Sequence, residues 1–294
     1  MYKILVLTDF SAASKHAIAF TQALFADTAT DFCLLHTFPL QPEVGYSGVF
    51  LLAEQRESAE KSLQALQHTI REQPVPDYHT YRTLVIPGSP ERAVEELLTQ
   101  EHFDLVVTGA TGFGRSELVG SVATGMIRSA KTNVLVIPAT APIRPLEHVV
   151  LATDYRSVND TESFDILNDL ASRKGAQLTL LTIENPQQHT PPVSDLSRQY
   201  VVSAFENLQT DTYTIHDENV LQGINSYLDI HTVDMLVMLP HHKSFFDVLR
   251  NKSVARSVAY HPRVPLLALY DSVTATPVDK PTSELETTPF ASYL

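Results

Sequence analysis

The chain has 294 residues, 44% of them hydrophobic and 19% charged, with a formal net charge of −13. The length suggests two domains of about 100–200 residues each, and the composition is globular, with enough apolar material for a core in either half. The acidic balance argues against a bulk nucleic-acid binder, and no apolar run approaches the ~20 residues of a membrane span, so neither partner is expected.

In chain order, Met1-Tyr2-Lys3 leads straight into an apolar run at about 3–8. No charged n-region or long apolar stretch precedes it, and the expected location is cytoplasmic. Ser11 is placed to cap a helix whose apolar face carries Ala17, Ile18, Thr21, Leu24 and Phe25. Further strands are expected at about 31–37, 80–86, 104–109 and 133–137. Cys33, the one cysteine, lies inside the run at 31–37. It allows no internal disulfide and reads as a buried thiol in a reducing compartment. A long polar-faced helix is expected at about 50–72, another opening with Pro90 in its first turn, and a last one at about 120–131. These strands are apolar throughout rather than alternating, as in a parallel sheet buried on both faces. The alternation of strand and helix gives a doubly wound α/β sheet with right-handed crossovers.

The same order then returns. Ile4-Leu5-Val6-Leu7-Thr8-Asp9-Phe10 is echoed by Val149-Val150-Leu151-Ala152-Thr153-Asp154-Tyr155, and Cys33-Leu34-Leu35-His36 by Thr179-Leu180-Leu181-Thr182. Asp104-Leu105-Val106-Val107 is matched by Asp234-Met235-Leu236-Val237, Ser121-Val122-Ala123 by Ser253-Val254-Ala255, and the run at 133–137 by that at 265–269. The period is too long for a solenoid, so the chain reads as two whole domains in tandem, 1–140 and 146–271. Pro142 and Pro145 stiffen the join, and Pro186, Pro191 and Pro192 mark a loop in the second copy. Residues 272–294 are polar, with little to bury, and read as a disordered tail. A single copy would leave its last strand open at an edge, so the two copies are expected to pair along 133–137 and 264–269 as a pseudo-twofold pair within the chain, a further homodimer being left open.

Ligands of open α/β sheets bind beyond the carboxyl ends of the strands. There the first copy presents Thr8-Asp9 and, after its fourth strand, Gly109, Gly112 and Gly114, followed by Gly120-Ser121 at a helix start. Glycines admit an anion close to backbone N–H groups, and a helix N-terminus favours it. Asp9 suits a ribose hydroxyl or a phosphate-borne metal. Residues 109–116 also fit Gly-x-x-x-x-Gly-[Lys/Arg]-Ser with Arg115 in the lysine place, but no helix follows directly as a P-loop requires.

Asp9, Gly109-x-x-Gly112, Gly120-Ser121-Val122-Ala123 and Val134-Leu135-Val136-Ile137-Pro138 resemble the universal stress protein family, in its tandem form, over roughly residues 1–270. The resemblance implies two five-stranded parallel sheets of order 3-2-1-4-5. It also implies ATP or a related adenine nucleotide, with Mg²⁺, held by Asp9, Thr37 near the adenine, Gly109, Thr111, Gly112, Gly120, Ser121 and Val122. The first copy has seven residues between Gly112 and Gly120 where the family's loop has nine. The second keeps the length but carries Leu239, His242 and Lys252 in the glycine places.

His241 and His242, with His261 and Asp154, have no spacing that forces them onto one metal, and Lys243, Arg250, Lys252 and Arg256 read as a solvated basic face. No catalytic constellation is placed by motif. The expectation is a stress-response regulatory protein binding a nucleotide or other small phosphorylated ligand in the first copy and acting on an unidentified protein partner. The alternatives are a ligand-free interaction module and a slow ATP hydrolase or phosphotransferase.

Overall fold

The computed structural model describes residues 1–39, 46–110, 119–155, 161–187, 193–239 and 262–270, with the backbone alone at 46–49 and 119–121. Thr111, Gly112, Arg115, the segment from His241 to His261 and the 272–294 tail lie outside the described residues.

The first half runs β1 (Tyr2–Leu7), α1 (Ala12–Leu24), β2 (Thr30–Phe38), α2 (Tyr46–Arg71), β3 (His79–Pro87), α3 (Pro90–Gln100), β4 (Leu105–Ala110), α4 (Val119–Ser129) and β5 (Asn133–Pro138). The second half runs β6 (His148–Ala152), a 3-10 turn (Thr161–Phe164), α5 (Asp165–Lys174), β7 (Gln177–Glu184), α6 (Asp195–Ser203), β8 (Thr210–His216), α7 (Val220–Ile230), β9 (Met235–Met238) and β10 (Leu266–Ala268).

The strands form one ten-stranded sheet in the order β3-β2-β1-β4-β5-β10-β9-β6-β7-β8. Pairing is parallel within each half, so the first half has the order 3-2-1-4-5. At the centre β5 and β10 are antiparallel, with Leu266 opposite Val136 and Ala268 opposite Val134. The sheet is therefore continuous through the molecule rather than divided in two.

Alternation along each strand feeds two apolar cores, one on each face of the sheet. Ile4, Val6, Phe32, Leu34 and Leu105 face one, with α1 and α5. Leu5, Leu7, Cys33, Leu35 and Val106 face the other, with α3, α4 and α7. Ala17, Ile18, Thr21, Leu24 and Phe25 are all buried, as the apolar face of α1 requires. Ser11 caps α1, its hydroxyl accepting the Ser14 N–H at 3.2 Å. Ser89 caps α3 in the same way, with Pro90 in the first turn, where its missing N–H leaves nothing unsatisfied.

Small devices recur in both halves. Asp104 accepts the Lys3 N–H at 2.7 Å and Asp234 the His148 N–H at 2.9 Å, each tying the start of one strand to its neighbour. Phe10 and Tyr155 both hold positive φ, 65° and 60°, and each donates its N–H to a threonine two residues earlier, Thr8 or Thr153. The halves are also pinned away from the sheet. Arg173 of α5 pairs with Asp169 at 2.9 Å and with Asp27, and its guanidinium lies over the rings of Tyr2 and Phe25. Burial and the Asp169 carboxylate push the Tyr2 hydroxyl well above its usual range. Among the described residues no helix is long and apolar enough to cross a membrane.

Candidate functional site

A cavity of about 860 Å³ opens at the carboxyl ends of β1, β2, β3 and β4, where a doubly wound sheet places its ligand. Its volume lies within the ordinary range for small-molecule sites, about 300–1,000 Å³.

The turn after β1 supplies one wall. The Ser11 N–H binds Asp9 Oδ1 at 3.0 Å, and Phe10 takes the left-handed conformation that lets the chain turn from strand into α1. Partial burial pushes the Asp9 carboxyl up. Hydrogen bonds from the Ser11 hydroxyl and backbone and from the Ser14 hydroxyl outweigh it and hold the group below its usual value. Asp9 is therefore an anion at neutral pH. The ends of β2 and β1 are joined through His36, whose Nδ1 lies 2.8 Å from the Thr8 carbonyl oxygen and whose ring sits 4.5 Å from that of Phe10. One residue on, Thr37 lines the cavity.

The third wall is Ile86-Pro87-Gly88-Ser89-Pro90 and the first turns of α3, including Arg92 and Glu96. Gly88 has φ 122°, a conformation closed to side-chain-bearing residues, and donates its N–H to Phe38 O at 2.8 Å. Nothing stands within 4 Å of where its Cβ would lie, so the glycine serves the turn and not a close contact. Sequence reasoning used this Gly-Ser-Pro run only as a helix start. The signal was that it ends a strand on the ligand-binding edge of the sheet.

Thr108 and Gly109 at the end of β4, and Val122 of α4, complete the lining. A Cβ on Gly109 would lie 2.7 Å from the Ala13 carbonyl oxygen and 3.1 Å from the Ser14 nitrogen. Gly109 is thus required by the approach of α1 to β4, a packing role that its place in a glycine loop does not reveal. Of the eight residues expected from sequence, Asp9, Thr37, Gly109 and Val122 line this one cavity. Gly120 and Ser121 fall in the first turn of α4, immediately before Val122. Thr111 and Gly112 lie outside the described residues.

Chemically, Leu35, Ile86, Pro39 and Val122 offer apolar surface to a flat body. Asp9 offers an acceptor, and the starts of α1 and α3 offer favourable ends for negative charge. Among the described residues no group of three or more His, Cys, Asp or Glu is gathered to hold a metal.

The second half differs at the matching positions. Ile183, which follows β7 residue Thr182 as Thr37 follows His36, is pressed against α7. Its Cδ1 and Cγ2 would each stand 2.8 Å from a Cβ placed on Gly223. Leu239, in the place of Gly109, packs against the core.

Sheet order and cleft define a doubly wound α/β protein whose first five strands carry a small-molecule cavity at their carboxyl edge. Residues 1–138, just under half of the chain, match the model of the Universal stress protein family. A crystal structure of a universal stress protein from Archaeoglobus fulgidus is similar over 90% of this chain and 97% of its own, at 15% identity and a TM-score of 0.65. A functionally unknown protein from Pseudomonas aeruginosa is similar over 92% of both chains, at 14% identity and a TM-score of 0.52. An Arabidopsis thaliana universal stress protein family protein with AMP bound covers 47% of this chain and 92% of its own, at 18% identity and a TM-score of 0.33. Among curated proteins none matches the chain.

Proposed function

We propose that the protein is a stress-response regulator built of two copies of one domain, 1–140 and 146–271, and that it binds an adenine nucleotide in the first. One observation carries the reading: Asp9, Thr37, Gly109 and Val122, drawn from four separate elements, line a single cavity of nucleotide size. The base lies among Leu35, Ile86 and Pro39, beside Thr37. Asp9, ionised, accepts from the ribose hydroxyls. The phosphates lie toward the start of α4, where backbone N–H groups at Gly120 and the Ser121 hydroxyl serve as donors, and any Mg²⁺ arrives with them. The second copy is silent, because Ile183 against Gly223 fills the space that Thr37 leaves open. Ligand occupancy then alters the surface around the cleft, to which a protein partner responds.

Isothermal calorimetry of the full chain with ATP and AMP, each with Mg²⁺, tests this. Binding to wild type should fall at least about tenfold in Asp9→Ala, the worth of one hydrogen bond to a charged group. Thr37→Ile, which copies the second half, should abolish it. Heat unchanged by both substitutions, or none with either nucleotide, would refute the assignment.

A further inference from the structure

The two edges of the ten-stranded sheet are finished differently. At β3 the edge is closed: His79 donates its N–H to Pro76 O, Tyr81 O accepts from the Gln67 side chain at 2.7 Å, and Pro87 has no N–H to offer. The 26-residue helix α2 packs along this strand. At the other edge stands β8, with the nine-residue α6 in place of α2. Asp211, Thr212, Tyr213 and Thr214 are exposed one after another, Tyr213 with one side of its ring against Tyr227 and His231.

The outer edge of β8 is open as well. Leu178 donates its N–H to Gln209 O at 2.9 Å, and the Asp217 N–H reaches Glu184 O at 3.0 Å. Alternation then turns the odd-numbered residues of β8 toward β7 and leaves the N–H and C=O of Thr212 and Thr214 pointing away from the sheet. Among the described residues nothing bonds them. Nor does β8 carry the usual guards of an edge, a proline, a lysine or a bulge.

The charge around this edge is one-sided. From 175 to 239 the only lysine or arginine is Arg198. Glu184, Asp195, Glu206, Asp211, Asp217 and Glu218 lie in the same stretch, and none of them meets a lysine or arginine among the described residues. A second copy of the chain would bring the same acids against themselves. A basic segment would neutralise them.

We infer that β8 is a docking edge for an extended, lysine- or arginine-bearing segment of a partner protein, which adds to the sheet as an eleventh strand. Main-chain hydrogen bonds to Thr212 and Thr214 hold it, and the surrounding carboxylates select its charge. Tyr213, exposed on the strand itself, provides apolar contact.

The probe is a fluorescein-labelled ten-residue peptide alternating lysine with threonine and valine, followed by anisotropy with the full chain at low salt. Three comparisons accompany it: the same peptide with glutamate for lysine, the lysine peptide N-methylated on alternate backbone nitrogens, and Thr214→Pro protein checked for an unchanged melting curve. Proline at 214 removes an outward N–H without costing the β7–β8 ladder a bond. The lysine peptide should bind saturably and should weaken at least about tenfold in each of the three comparisons. Absence of binding overturns the inference. So does binding that survives N-methylation, which is attraction of charge without strand addition and decides the matter even if Thr214→Pro fails to fold. Sedimentation of the wild-type chain as a dimer that Thr214→Pro dissolves would also overturn it, by giving the edge to a second copy.

Discussion

Gly109→Ala adds one methyl group, and the structure says where it goes: 2.7 Å from the Ala13 carbonyl oxygen, 2.8 Å from its carbon and 3.1 Å from the Ser14 nitrogen. Ordinary contact begins near 3.4 Å, so the first turn of α1 must retreat by about 0.7 Å, with no flexible side chain to absorb the change. Overpacking costs about 1–3 kcal/mol, and a backbone obstacle puts this case at the upper end, near 3 kcal/mol. At about 2–4 °C per kcal/mol for a domain of this size, the melting temperature should fall by roughly 6–12 °C. Gly125→Ala is the control. The atoms nearest its Cβ belong to the Glu91 side chain, from 2.9 Å, and these can swing away, while alanine is the better helix former. Urea titration and calorimetry of both variants should show a large loss in the first and little or no loss in the second. A Gly109→Ala protein within about 0.5 kcal/mol of wild type would refute the packing account of this glycine.

Ser89→Ala removes the α3 cap and should cost about 1 kcal/mol in urea unfolding, because the Arg92 N–H loses its partner. Cys33 is fully buried and desolvation pushes its thiol up to about 11, so a disulfide reagent at pH 8 should label it only after denaturant is added. Partial burial pushes the Asp27 carboxyl up, but Lys174 and Arg173 outweigh it and hold the group below its usual value. A depressed carboxyl stabilises the fold above its unfolded value, about 3.9, and that contribution is lost as pH falls through the lower folded value. Asp27→Asn should therefore be less stable than wild type at pH 7, and the difference should shrink below about pH 4 in acid melts.

The architecture was legible where one physical demand acts on many residues. Strands buried on both faces must be apolar throughout, so β1, β2, β4 and β5 stood out, and Ser11 and Pro90 marked helix starts because a helix end leaves donors to satisfy. The candidate site was half legible. Asp9 follows β1 and could be placed at the carboxyl edge of the sheet, whereas Thr37, inside β2, came only with the family resemblance. Gly109 has a glycine's signature, but whether a glycine makes room for a ligand or for a neighbouring helix depends on Ala13, almost a hundred residues away. Arg92 and Glu96 gave no signal, because on α3 they look like any exposed helical charges until β3 has been placed beside β2.

The antiparallel seam between β5 and β10 also bears on how the chain is made. Leu266 meets Val136 only after a further 130 residues have left the ribosome, and β10 has β9 as its other neighbour. The amino-terminal half can fold long before then, but it must wait with the apolar edge of β5 uncovered, the condition in which nascent α/β domains aggregate or pair with the wrong strand. Until β10 emerges, that edge is a natural target for a chaperone. A chain stopped before residue 266 would leave the edge of β5 uncovered and should be prone to clump.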